Sequence, residues 1–73
     1  MGVLDYFKPV RFMTSEEARE FMKGKDPGDF NLVDVRQPKE YERGHLPGSV
    51  LIPVGELDRR ISEIDASKPT ITY

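Results

Sequence analysis

Few side chains in this sequence of 73 residues could carry chemistry. There is no cysteine, and His45 is the single histidine. The serines, which are Ser15, Ser49, Ser62 and Ser67, have no base at a spacing that suggests an activated hydroxyl. Without cysteines and with one histidine, the chain cannot supply a disulfide or a typical set of zinc ligands. We therefore expect no metal, no cofactor and no complete catalytic group among these residues.

Two charged residues, Asp34 and Arg36, stand out because they close an apolar run. Asp34 lies within NLVDV (31–35), where a buried carboxylate without partners would be costly. We expect it to accept backbone or side-chain hydrogen bonds at the end of a strand. Arg36 lies at the same strand end, where it can bind an anion or form an ion pair with Glu40 or Glu42. The sequence leaves both roles of Arg36 open.

The stretch YERGHLPGSVLIP (41–53) takes the chain from the end of a helix into a strand. Gly44 can adopt the left-handed backbone conformation that ends a helix. Pro47 and Gly48 predict a turn, in which proline restricts φ and glycine takes a positive φ. Between these elements, His45 can hydrogen-bond backbone groups across the turn. We therefore interpret His45 as a structural residue rather than a catalytic base.

Three segments are predicted to be helical from their apolar spacing and end signals. The first is 14–22, with a capping box of Thr14 and Glu17 and an inner face of Ala18, Phe21 and Met22. The second is 38–43, which begins at Pro38 and ends before Gly44. The third is the segment marked by Leu57, Ile61 and Ile64. The stretch KGKDPGD (23–29) ends the first helix, because it contains two glycines and a proline.

Short runs between the helices predict strands that are covered on both faces, because apolar and polar residues do not alternate cleanly. The predicted strands are a short one at Val10, Phe12 and Met13, then FNLVDV (30–35), SVLIPV (49–54) and TITY (70–73). Strands that alternate with helices over short connections define βαβ units, and hence a parallel sheet with right-handed crossovers. We predict one α/β domain, in which residues 1–13 are a lead-in.

The composition argues against several classes of partner. The chain is 37% hydrophobic and 33% charged, with a net charge of −2 and a pI near 5.3. This balance argues against a general surface for nucleic acid or anionic membranes. The apolar runs are far shorter than a membrane span, and the N-terminus lacks the basic and apolar regions of a signal peptide. We therefore expect a cytoplasmic protein without nucleic-acid or membrane partners.

The stretch 41–53 resembles the first signature of the rhodanese family: an aromatic residue, three further residues, His, a branched aliphatic residue, Pro, Gly and a small residue. The residues that match are Tyr41, His45, Pro47 and Gly48, whereas Leu46 and Ser49 depart mildly from the commonest types. The resemblance extends over 32–49 and the third helix, so that residues 14–73 are similar to the first half to two-thirds of a rhodanese domain. It implies a three-layer α/β fold around a central parallel sheet, incomplete in this chain.

In rhodanese-like domains the strand that residues 70–73 resemble leads into a loop that begins with the catalytic cysteine. The resemblance therefore implies that the catalytic group lies beyond Tyr73, commonly as the next residue. The implied reaction transfers sulfane sulfur from thiosulfate or a protein persulfide to a thiophilic acceptor, through a cysteine persulfide. In this reaction Asp34 would brace the loop and Arg36 would bind the anionic donor. The 73 residues alone are expected to be inactive.

Two other functions stay open at this point. A non-catalytic rhodanese module would serve regulation or protein interaction, with another residue in place of the cysteine. A relative of the phosphatases and arsenate reductases would use a longer cysteine loop to hold a tetrahedral oxyanion. The identity of the residue after Tyr73 and the length of the loop discriminate among these functions.

The last predicted strand also raises a question about the sheet. Residues 70–73 have the pattern of a central parallel strand, which needs a neighbour on each side. We expect these neighbours to come from chain beyond Tyr73, from a second chain or from a swapped copy. The 73 residues are accordingly interpreted as the N-terminal part, 14–73, of a single domain preceded by the lead-in.

Overall fold

The computed structural model describes residues 10–73, which form four strands and three α-helices. The strands are β1 (Val10–Phe12), β2 (Asn31–Asp34), β3 (Val50–Leu51) and β4 (Thr70–Thr72). The helices are α1 (Ser15–Met22), α2 (Pro38–Arg43) and α3 (Leu57–Arg60), with single 3-10 turns at Pro27–Asp29, Val54–Glu56 and Ile61–Glu63. Residues 1–9 of the predicted lead-in lie outside the described residues. In the described part, no helix has the length and apolar character needed to cross a membrane.

The strands form one parallel sheet in the order β1-β4-β2-β3. Strand β4 lies inside the sheet, as predicted, and its Ile71 pairs with Arg11 of β1 and with Leu32 of β2. The expectation that both neighbours of β4 come from outside these residues is wrong. The reason is that the short segment Val10–Phe12 supplies the second neighbour, and the backbone N–H of Met13 extends this pairing by donating to the carbonyl of Thr72 (2.8 Å).

Helix α1 begins at the predicted capping box. The Thr14 hydroxyl accepts from the backbone N–H of Glu17 (3.1 Å), and the Glu17 carboxylate accepts from the N–H of Thr14 (2.9 Å). These bonds satisfy two of the donors that every helix leaves free at its start. Ala18 is fully buried, and Phe21 and Met22 pack against the core on the same side. The predicted inner face of this helix is confirmed.

The turn after α2 agrees with the prediction at one glycine and not at the other. Gly48 has φ +82°, the positive value that was predicted for the Pro47–Gly48 turn. Gly44 instead has φ 161° and ψ 138°, an extended conformation, so the predicted left-handed cap is wrong. The helix can end this way because the Gly44 N–H already donates to the carbonyls of Glu40 (3.3 Å) and Tyr41 (3.2 Å).

The third strand and third helix are both shorter than predicted. Of residues 49–54, only Val50 and Leu51 pair in the sheet, and Val50 is 53% exposed because β3 lies at the edge. The N–H groups of Ile52 and Val54 still donate to the carbonyls of Asp34 (2.9 Å) and Val35 (3.0 Å), but a 3-10 turn that begins at Val54 ends the strand. The segment from Leu57 to Ile64 then divides into one helical turn and a 3-10 turn. Its two end residues are nevertheless buried, so the predicted apolar face exists on a shorter helix.

Two apolar clusters cover the two faces of the sheet. Because successive residues of a strand point to opposite faces, Leu32 and Val33 of β2 belong to different clusters. The cluster beneath α1 is Ala18, Phe30, Leu32, Leu46, Ile71 and Tyr73. The cluster beneath α3 is Val33, Ile52, Leu57 and Ile64. A parallel sheet with helices packed on both faces is the α/β architecture that was predicted.

Candidate functional site

A cleft of about 320 Å³ opens at the carboxyl ends of the central strands. It is lined by Ser15 and Arg19 from α1, by Arg36 after β2, by Gly44, His45 and Leu46 after α2, and by Tyr73 after β4. In open parallel α/β sheets, ligands bind at this edge, because the loops that follow the strands converge there. The cleft is therefore the candidate functional site.

Asp34 and Arg36 form the central contact of this edge. The Asp34 carboxylate is fully buried and accepts from Arg36 Nε (3.0 Å to Oδ1) and Nη2 (2.7 Å to Oδ2). It also accepts from the backbone N–H of Arg36 (2.9 Å). Arg36 thus pairs with Asp34 rather than with Glu40 or Glu42, the partners considered from the sequence. Such a two-point ion pair fixes the orientation of both side chains.

The electrostatics of the pair favour its charged form. Burial acts to raise the pKa of Asp34, but the hydrogen bonds and charge of Arg36 outweigh burial and hold that pKa below its ordinary value of 3.8. The hydrogen bond to Asp34 in turn raises the pKa of Arg36. The carboxylate is therefore ionised at neutral pH in spite of its burial.

Arg36 also links the end of β2 to the turn after α2. Its Nη2 donates to the carbonyl of Gly44 (2.9 Å), and its guanidinium carbon lies 5.3 Å from the centre of the Tyr73 ring. With its side chain 28% exposed, Arg36 still lines the cleft. The structure therefore brings Asp34, Arg36 and the 41–49 turn together at one edge, while anion binding by Arg36 stays a prediction.

The aromatic pair Tyr41 and His45 shapes the turn. The two rings stack with their centroids 3.6 Å apart and their planes 3° from parallel. His45 Nδ1 lies 2.7 Å from the carbonyl of Tyr41, and it must carry a proton in this bond because a carbonyl only accepts. The Tyr41 hydroxyl donates to the carbonyl of Ser49 (2.8 Å). The ring of His45 is thus bound locally to the turn, at the rim of the cleft.

Tyr73 joins β4 to the same turn. Its backbone N–H donates to the carbonyl of Val33 (3.1 Å) and its carbonyl accepts from Val35 (2.8 Å), so it continues the pairing of β4 with β2. Its buried hydroxyl accepts from the N–H of Leu46 (2.9 Å) and donates to Ser49 Oγ (3.1 Å). Sequence reasoning missed this role. The available signal was a tyrosine hydroxyl at the end of a strand that was predicted to be buried, where the hydroxyl needs a hydrogen-bond partner.

Ser15 and Arg19 were also missed as lining residues. Their spacing of four residues on the predicted helix 14–22 was the available signal, because i and i+4 share a helix face. The lining of the cleft contains two arginines, Arg19 and Arg36, and no acidic side chain. Within residues 10–73 no group of His, Asp and Glu is arranged to hold a metal ion. What this arrangement suits chemically is the binding of an anion.

The fold and the site together define a parallel α/β domain with a basic cleft at the carboxyl edge of its sheet. Comparison with known proteins gives the family. A family model for the rhodanese-like domain matches residues 14–73, and the chain belongs to this family.

Three similar proteins come from two bacteria. The chain is 37% identical to the HTH-type transcriptional regulator Rv0324 of Mycobacterium tuberculosis, over 74% of this chain and 24% of that protein. It is 35% identical to the uncharacterized protein YqhL of Bacillus subtilis, over 97% of this chain and 55% of that protein. It is 42% identical to the putative sulfur carrier protein YrkF of Bacillus subtilis, over 68% of this chain and 28% of that protein. The chain thus spans about half or less of each relative, and no solved structure matches it significantly.

Proposed function

We propose that this domain transfers sulfane sulfur from thiosulfate or a persulfide donor to a thiophilic acceptor. The sulfur would be carried as a persulfide on a cysteine that lies beyond Tyr73. Membership of the rhodanese-like family supports the proposal, as does the name of the relative YrkF, a putative sulfur carrier protein. The observation that carries it is the basic cleft into which the end of β4 leads, with Tyr73 in its lining.

The reaction has two displacements, each of which makes and breaks one sulfur bond. A cysteine thiolate attacks the outer sulfur of thiosulfate, a new S–S bond forms, and sulfite leaves with the electron pair of the old bond. The acceptor, for example cyanide, then attacks the outer sulfur of the persulfide, so that thiocyanate forms and the thiolate is regenerated. Positive charge near the thiol favours the thiolate in both steps.

The cleft supplies that charge in a fixed arrangement. Arg36 is oriented by Asp34 and by the Gly44 carbonyl, and Arg19 lies in the same lining. An anionic donor at the carboxyl edge would meet guanidinium groups, which bind oxyanions through parallel N–H donors. A loop that follows Tyr73 would be held against the turn through the bonds of the tyrosine hydroxyl to Leu46 and Ser49.

The test is thiosulfate-to-cyanide sulfur transfer by the full-length protein that carries this domain. We expect thiocyanate to form, and we expect thiosulfate alone to add one sulfur atom to a single cysteine in the intact mass. Treatment with cyanide should remove that atom. Protein alkylated on its thiols before the assay is the matched control. Thiocyanate formation that survives alkylation, or the absence of a persulfide, would contradict the proposal.

One comparison favours a second function, since the relative Rv0324 is named a transcriptional regulator. In a regulatory module the domain would present its cleft without turning over a donor. This alternative predicts a residue other than cysteine after the end of β4 and no thiocyanate in the same assay. The two functions are therefore separated by the persulfide measurement.

A further inference from the structure

The two arginines of the cleft differ in how far a carboxylate of the protein already neutralises their charge. Arg36 directs Nε and Nη2 to the buried carboxylate of Asp34 and shares Nη2 with the Gly44 carbonyl. Arg19 is exposed, and across residues 10–73 it forms no ion pair with a carboxylate. Within this part of the chain, the positive charge available to a ligand in the cleft therefore belongs to Arg19 more than to Arg36.

The packing of α1 holds Arg19 at the cleft. On the inner face of the helix Ala18 is fully buried, and the ring of Phe21 meets that of Phe30 edge to face at 5.6 Å. Ser15 and Arg19, four residues apart, share the face that lines the cleft. Because rotation of the helix would expose Ala18, the hydroxyl and the guanidinium stay on this side.

We infer that Arg19 is the residue that selects an anionic sulfur donor, while Arg36 positions the edge of the sheet. The ligand class is a small divalent oxyanion such as thiosulfate, and this choice of donor rests on the proposed function. A guanidinium forms charge-assisted hydrogen bonds with two oxygens of such an anion, and the Ser15 hydroxyl can donate to a third. The contact is made to the sulfonate end, which does not itself receive the attacking sulfur.

The position of the contact determines which kinetic constant it affects. The sulfonate oxygens are bound before and during the displacement of sulfite, so Arg19 would stabilise the bound donor and the transition state about equally. An interaction of this kind lowers KM and leaves kcat unchanged. Loss of Arg36, in contrast, disturbs the buried Asp34 and therefore also the stability of the fold.

The experiment titrates the full-length protein with thiosulfate, and separately with sulfate, which has no transferable sulfur. Binding is followed in the wild type and in each variant through the backbone amide chemical shifts of the residues that line the cleft in NMR spectra. We expect R19Q to raise the dissociation constant of both anions at least about tenfold. R19K should recover part of the affinity, because it keeps the charge and loses the two-point geometry. The difference should shrink at high salt, since the site is open to solvent.

The matched control is R43Q, which removes the same charge from an exposed arginine outside the cleft lining. We expect it to stay within about twofold of the wild type, as a general effect of net charge is weak. Glutamine and arginine have similar helix propensities, so both variants should have the same melting temperature as the wild type. Equal anion affinity of R19Q and R43Q would overturn the inference.

The outcomes separate this inference from the proposed function. Sulfate binding that depends on Arg19 in a protein without sulfur transfer would support Arg19 as the anion contact of the cleft and refute the proposed function. Sulfur transfer with the same KM for thiosulfate in R19Q and wild type would support the function and refute the inference. A raised KM with unchanged kcat in R19Q supports both.

Discussion

Replacement of Arg36 by methionine tests whether the Asp34–Arg36 pair holds the fold together as well as the site. Methionine keeps an unbranched apolar stem and removes the guanidinium. Three hydrogen bonds to the Asp34 carboxylate and one to the Gly44 carbonyl are then lost. The carboxylate, which is 0% exposed, keeps the backbone N–H of residue 36. It becomes a buried charge without a counter-ion.

The size of the effect follows from the burial of the two partners. Removal of one partner of a buried ion pair costs about 3–5 kcal/mol. Since the Arg36 side chain is 28% exposed, water can reach the space that the guanidinium leaves. The lower end of the range, about 3 kcal/mol, is therefore expected. For a domain of this size such a loss lowers Tm by about 12–24 °C.

The assay is urea and thermal unfolding of the full-length protein. Arg43→Met, at an exposed position, is the control and should change the free energy of unfolding by less than about 0.5 kcal/mol. Asp34→Asn combined with Arg36→Met should recover about 1–3 kcal/mol relative to Arg36→Met alone, because the unpaired charge is gone. If Arg36→Met destabilises the protein no more than Arg43→Met, the argument from the buried carboxylate is wrong.

Three further predictions concern the same edge of the sheet. The pKa of Asp34 in the folded protein lies below the ordinary 3.8, so the charged carboxylate stabilises the fold above pH 3.8, and this stabilisation is lost as the pH falls through the folded pKa. The difference in urea midpoint between the wild type and Asp34→Asn should therefore shrink from neutral pH to about pH 3. Gly48→Ala should cost about 1–2 kcal/mol of unfolding free energy, since its φ of +82° is unfavourable for alanine, whereas Gly44→Ala, in extended backbone, should be near neutral by the same measurement. Tyr73→Phe should cost about 1–3 kcal/mol in thermal unfolding, because the buried N–H of Leu46 loses its acceptor; equal melting would refute this.

Short-range signals were sufficient for most of the helices and turns. The capping box joins Thr14 to a residue three positions away, and the turn depends on Pro47 and the neighbouring Gly48. Such interactions act within one turn of backbone, so residue type and spacing determine them wherever the segment lies. The alternation of helices with β-branched runs likewise predicted a parallel α/β sheet with β4 inside it.

Contacts between residues far apart in the sequence were decided only by the tertiary structure. The second neighbour of β4 is β1, whose Arg11 carbonyl accepts from the hydroxyl of Thr72, 61 residues away. The Tyr73 hydroxyl meets the N–H of Leu46 across 27 residues. A residue pattern carries no information on which distant group completes such a bond, because the partner is chosen by how the layers pack.

The candidate site shows the same division. The apolar run NLVDV required hydrogen-bond partners for Asp34, and the sequence placed Arg36 at the same strand end. For Arg36, however, the prediction was either anion binding or an ion pair with Glu40 or Glu42, and not the pair with Asp34. Burial determines which carboxylate pairs with Arg36. Asp34 is buried, so it would be destabilised most without a cation, and Arg36 Nη2 lies 2.7 Å from its Oδ2 at the strand end. Local spacing predicted which face of α1 packs inward, but it did not predict that Arg19 would lie at the cleft, because that depends on where the helix packs on the sheet.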